Sequence, residues 1–273
     1  MRKLAAVVMV TLLSGVLLAG CNTQPKQTSQ VSSETKKKLV VGTGTAFYPM
    51  SMMDKNGKIV GYDIDLVHGL GEYLNMEVEL QAYNGLGNVI SALQSQKVDL
   101  IAYAITITEK RKETIDFSTP YLDTYLNIAV SDKYKELSKW EEVDKPGVII
   151  GVVMGSNGDA TAQKMFKYAT IKKFEDMSLV GQALANKQID ALVSTEIWVK
   201  VFKAYTPGIT ILPVRVGEVE PQGIGVSKGN KELLDKVNAY LKQYKESGAA
   251  DKNYEKWFIN EAWRDFVPPK QYK

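Results

Sequence analysis

The chain has 273 residues, 45% of them hydrophobic and 24% charged, with a formal net charge of +3. That excess sits at the front: from Leu39 onward 28 basic residues meet 30 acidic ones, so nucleic acid is not an expected partner. One cysteine excludes an intrachain disulfide, and one histidine leaves no His/Cys cluster with metal-ligand spacing, so no metal or cofactor is expected.

In residues 1–20, Arg2 and Lys3 precede a nearly apolar run from Leu4 to Leu18 and then small residues, the pattern of a secretory signal peptide. The run is short for a membrane-spanning helix. The tetrapeptide LAGC (18–21) resembles a bacterial lipobox, in which the cysteine is diacylated and becomes the mature N-terminus. An ordinary cleaved signal and a short membrane helix with an incidental cysteine are the alternatives. Residues 21–38 are polar, rich in Ser, Thr, Gln and Lys, and without apolar period, so they read as a flexible tether lipidated at Cys21.

The 235 residues that follow alternate short β-branched runs with amphipathic segments. Strands are predicted at 39–43, 76–82 and 99–104, with helices at 63–74 and 88–95 between them, and a second series begins after 125–130 with a strand at 148–153. This order predicts an α/β fold with helices on both faces of each sheet. A faint internal repeat runs through it: ALQSQKVDLIA (92–102) and ALANKQIDALV (183–193) share Ala-Leu, a four-residue spacer, a β-branched residue, Asp and an apolar strand. Two similar lobes are expected.

Ligands of open α/β sheets collect beyond the carboxyl ends of the strands. The rule nominates Ala104, Ile105 and Thr106 in the first lobe and Ser194, Thr195 and Glu196 in the second. Arg111 follows the first of these edges, within a turn of a helix start that Thr108 can cap, where the backbone dipole is already positive. Its guanidinium can fork onto a carboxylate, or it can make a surface ion pair with Glu109 or Asp116. The turn GSNG (155–158), between a strand and a helix, is either an anion site or a plain connection, and Ser156 and Asn157 are its polar side chains. Phe47 follows a strand end and can stack on a ligand, with Leu86 or Tyr83 opposite. Trp198 and Trp257 read as core residues and His68 as a helix-face residue. No Ser-His-Asp set or nucleophilic cysteine is present, so an enzyme would have to work with carboxylates such as Glu196, Glu218 and Glu220.

From about Leu39 to Phe258 the sequence resembles the bacterial extracellular solute-binding proteins of family 3, polar amino-acid receptors of ABC importers. The segments that carry the resemblance are GYDIDLVHGLGEYL (61–74), TITEKRKETIDFSTPY (106–121), GVVMGSNG (151–158), GIGVSKGN (223–230) and YEKWF (254–258). It implies a two-lobed periplasmic-binding-protein fold of type II, with two α/β lobes joined by two crossovers, at 39–124 plus 222–273 and at 125–221. By the same resemblance Arg111 corresponds to the arginine that grips the ligand's α-carboxylate, with Thr106 and Ala104 as anchors and Ser156 and Asn157 as the polar turn of the other lobe. Phe47 and Leu86 correspond to residues flanking the ligand side chain. Two positions depart from the pattern: Gly44 stands where many relatives have Asp, and Thr195 replaces the aspartate that binds the ligand ammonium.

The expected function is a lipid-anchored receptor on the extracytoplasmic face of a bacterial membrane. It would capture an amino acid or related small carboxylate, present it to an ABC permease and act as a monomer rather than as an enzyme. A carboxylate-based lyase resembling the cyclohexadienyl dehydratases and a sensory or adhesive lipoprotein are the alternatives.

Overall fold

The computed structural model describes residues 36–266, so the expected signal peptide and the lipidation at Cys21 lie outside the described residues. Among the described residues no helix is long and apolar enough to cross a membrane. β1 (Lys38–Thr43) starts inside the expected tether, because Lys38 pairs in register with Glu77 and its ammonium lies 2.8 Å from Glu79 Oε2. Three short strands follow, β2 (Ala46–Phe47), β3 (Ser51–Met53) and β4 (Ile59–Val60), and form a small sheet of their own. Then come α1 (Tyr62–Tyr73), β5 (Glu77–Ala82), α2 (Leu86–Gln94), β6 (Leu100–Ile101), α3 (Glu109–Lys112) and β7 (Ile115–Phe117).

The long β8 (Leu122–Ser131) leads into the second series of β9 (Ile149–Val153), α4 (Asn157–Met165), β10 (Thr170–Phe174), α5 (Met177–Ala185), β11 (Ala191–Thr195) and α6 (Glu196–Tyr205). The longer β12 (Ile209–Gln222) leads back to β13 (Gly225–Ser227), α7 (Lys231–Glu246) and α8 (Ala249–Tyr254). The first lobe's sheet has the order β5-β1-β6-β13-β7 and the second lobe's β10-β9-β11-β8-β12. Both are mixed: β1 is parallel to β5 and β6, and β9 to β10 and β11, while β13, β8 and β12 run antiparallel to their neighbours.

The faint repeat has a precise geometric counterpart. After α2 and after α5 the chain turns through one left-handed residue, Gln96 at φ 57° and Lys187 at φ 58°. One residue on, Lys97 N–H donates to Ala92 O and Gln188 N–H to Ala183 O, closing both helix ends. The shared aspartate then ties the loop to the first strand of its lobe. Asp99 Oδ2 accepts the Val40 N–H and Asp190 Oδ2 the Ile149 N–H, at 2.8 and 2.9 Å. Each aspartate also donates its own N–H back to the same strand residue's carbonyl.

The segment GYDIDL is equally constrained. Gly61 has φ 145°, and a Cβ there would lie 2.2 Å from Met50 O, so no side chain is accommodated. Tyr62 is buried, stacked on Tyr121 and packed against Phe258. Asp65 accepts from Lys256 Nζ at 2.6 Å and from Trp257 Nε1 at 2.7 Å, which draws the YEKWF segment onto α1. Trp198 and Trp257 are fully buried, as expected of core residues, and His68 lies exposed on the face of α1.

Because the two aspartates of the repeat do the same work, Asp99→Ala and Asp190→Ala should each lower unfolding free energy by about 1–2 kcal/mol, through loss of a strand-end N–H partner. Denaturant unfolding of the two variants checks this, and a cost in one half only would show the repeat to be superficial.

Candidate binding cleft

The carboxyl ends of the two sheets face a common cavity of ≈ 580 Å³, its open mouth included. Nine of the ten residues expected at the ligand line it: Phe47, Leu86, Ala104, Ile105, Thr106, Arg111, Ser156, Asn157 and Thr195. Glu196 does not. It is the first residue of α6, and its carboxylate turns away to a two-pronged bond with Arg215 of β12 at 3.1 and 3.3 Å. Glu218 is exposed, while Glu220 lines the cavity and is only 2% exposed. Tyr83 is off the cavity, its hydroxyl donating to Gln81.

The strand expected over 99–104 ends early for a reason that shapes the site. β6 covers only Leu100 and Ile101, and at Ala104 the backbone takes a left-handed turn at φ 44°. That conformation is uncommon for a residue with a Cβ, and a buried carboxylate holds it. Asp63 Oδ2 accepts the Ala104 N–H at 2.6 Å, and Asp63 Oδ1 accepts the Tyr121 hydroxyl at 2.7 Å. The turn aims Ile105 and Thr106 into the cleft.

Arg111 sits in the short α3, whose N-cap Thr108 accepts the Arg111 N–H at 3.2 Å. Its guanidinium donates to Thr106 O at 2.7 Å and reaches the other lobe at Gly155 O, 3.2 Å away. The alternative surface ion pairs are taken by other partners: Glu109 pairs with Lys112 and Asp116 with Lys228. Burial pulls the guanidinium's pKa down and the nearby Glu220 opposes this.

On the second lobe, Ser156 caps α4 by accepting the Asp159 N–H, and the Gly155 N–H is already given to Asp159 Oδ2 at 3.0 Å. The anion reading of the GSNG turn is thus narrowed to Asn157 and Gly158, which begin α4 and line the cavity. Thr195 is the N-cap of α6, its hydroxyl accepting the Trp198 N–H. Glu220 Oε2 accepts from Thr106 Oγ1 at 3.0 Å and Oε1 from Asn157 Nδ2, so this one carboxylate touches both lobes. Burial pushes its pKa up, against the bonds from Asn157 and Thr106 and the charge of Arg111.

The largest lining residue not foreseen is Tyr103, edge-on to Phe47 with ring centroids 6.2 Å apart. An aromatic just past an apolar strand was visible in the sequence but looks the same there as a core residue. Met177 and Val193 were hidden in the same way.

Residues 39–260 match the bacterial extracellular solute-binding proteins, family 3. The chain belongs to that family. Among its relatives, a "probable histidine-binding protein" of Neisseria gonorrhoeae is 27% identical over 252 residues, 91% of this chain and 93% of that one. A glutamine-binding protein of an ABC transporter in Bacillus subtilis is 28% identical over 270 residues, covering 94% and 97%. Among solved structures, an ancestral arginine-binding protein bound to arginine is 36% identical and superposes with a TM-score of 0.76 over 82% of this chain and 99% of its own. The two-lobed fold of the family is therefore the fold of this chain, and these relatives are named as binding proteins rather than enzymes.

Asp63 gives the site a pH signature. Burial pushes its pKa up to about 7, against the bonds from Tyr121 and Ala104 that pull it down. The folded value is above the unfolded one, so the native state holds a proton that the unfolded chain releases. The stability this contributes is fully present below about pH 4 and is lost as pH rises through 7. Thermal unfolding should show Asp63→Asn flattening the fall in stability between about pH 4 and 8.

Proposed function

We propose that this chain is the amino-acid-binding component of an ABC importer, capturing its ligand between the lobes and presenting it to the permease. The observation that carries the reading is Arg111: a cation half-buried in the cleft, with two of its five N–H donors spent on carbonyls of opposite lobes and a fork that suits a carboxylate. The names of the relatives, which include histidine-, glutamine- and arginine-binding proteins, support an amino acid as the ligand. In this reading residues 39–124 and the described residues from 222 onward form one lobe and 125–221 the other, and ligand contacts on both favour the arrangement that the permease recognises. Phe47, Leu86, Ala104, Ile105, Thr106, Ser156, Asn157 and Thr195 complete the binding surface.

We further propose that Cys21 carries a lipid anchor, that the polar segment after it gives the receptor its reach, and that it works as a monomer on the extracytoplasmic face of the membrane. The support for the anchor is LAGC after an apolar run, with no other cysteine in the chain.

Arg111→Ala should leave the fold intact and weaken binding of the amino acid by about 3–5 kcal/mol, because the ligand carboxylate would be enclosed without its cation. Calorimetry with the amino acids that stabilise the wild type is the measurement, and unchanged affinity would refute the assignment. For the anchor, Cys21→Ser should move the protein from the membrane fraction to the soluble fraction of cells expressing it. A membrane fraction equal to the wild type's would refute the lipid.

A further inference from the structure

We propose that Glu220 is the partner of the ligand's ammonium and that the site selects zwitterionic amino acids with uncharged side chains. The inference rests on the binding function above and specifies its substrate class.

Among the described lining residues, formal charge is carried by Arg111 and Glu220 alone. They come from different elements, Arg111 from α3 and Glu220 from the end of β12. Each is held by neutral groups. Arg111 donates to two backbone carbonyls, and Glu220 accepts from a hydroxyl and a side-chain amide. Among the described ion pairs none includes Glu220, although its carboxylate is 2% exposed. A carboxylate buried with only neutral donors is costly, and a bound cation repays that cost. One cation and one anion on a shared cavity are the complement of one carboxylate and one ammonium.

Thr195, at the end of β11, offers a hydroxyl that already accepts the α6 cap bond, so the negative charge for an ammonium comes from the crossover strand instead. The wall around the charged pair has no third charge to give. Phe47, Leu86, Tyr103, Met177 and Val193 are apolar or aromatic, and burial holds the Tyr103 phenol up at about 12, so it is neutral at physiological pH. Tyr103 also fills the end of β1. A Cβ on Gly44 would lie 2.2 Å from its ring, so the aromatic occupies the space that a side chain at 44 would need. Asp176 lies in the neighbouring hollow that Tyr103 also lines, and it is engaged as the cap of α5, accepting the Leu179 N–H at 2.9 Å. A basic or acidic ligand side chain would therefore enter a wall without a counter-charge.

Calorimetry on the wild type with L-leucine, L-methionine, L-glutamine, L-arginine, L-lysine and L-glutamate, and with 4-methylpentanoate as leucine without its amine, tests the idea. The best neutral amino acid should bind about 100-fold more tightly than any of the charged three, and 4-methylpentanoate about 100-fold more weakly than leucine. Glu220→Gln should weaken the best neutral amino acid by about 100-fold and change 4-methylpentanoate by less than about threefold, with thermal unfolding showing a folded protein. Glu220→Asp, which keeps the charge, should retain affinity to within about tenfold. Arginine, lysine or glutamate binding as tightly as the best neutral amino acid, or full affinity in a folded Glu220→Gln, would overturn this inference and leave the receptor function standing. No binding of any amino acid would overturn both.

Discussion

The antiparallel pairing of β8 with β12 is the constraint on which the rest of this molecule depends. These two strands are the crossovers between the lobes, and they are paired along their length, from Ser131 and Ile209 in the second sheet to Leu122 and Gln222 at the boundary. Two irregularities in their register let the ribbon bend between the sheets. Where it reaches the first lobe its polar groups knit together. Gln222 Nε2 donates to Thr124 Oγ1 at 2.9 Å, the Ile107 N–H donates to Pro221 O, and Thr106 bridges to Gln222. The ribbon thus sets where the two sheet edges meet and, through Glu220, puts a charge at that meeting point.

The repeated unit shows why one fold can supply two matching edges. Each lobe returns from its second helix through a left-handed residue and an aspartate bonded to its first strand. The loops beyond the strands' carboxyl ends are then free to differ: an arginine after β6 in one lobe, a serine-capped turn after β9 in the other. The scaffold is symmetric and the chemistry is not.

Much of this was legible in the sequence, and particular residues show where legibility stopped. The periodicity marks β1, α1, β5 and α2 within about two residues, because local burial patterns dictate them. Arg111 was conspicuous because a cation near a helix start runs against the dipole, and its long side chain resolves the conflict by reaching back to Thr106 O and across to Gly155 O. The end of β6 was not legible, since the left-handed turn at Ala104 depends on Asp63, forty-one residues away in sequence. Adjacency along the chain suggested Glu196 over Glu220. The start of α6 points Glu196 toward Arg215, whereas the crossover carries Glu220 in from a distant strand. Tertiary geometry, not propensity, chooses between the two.

Trp198 fastens α6 to the small sheet of the other lobe. Its indole is fully buried, stacked on Phe202 at 4.8 Å, and its N–H donates to Ala46 O in the small sheet of the opposite lobe. Any displacement of α6 from that small sheet must break this bond. The environment of this indole is therefore tied to the seating of α6 against that small sheet.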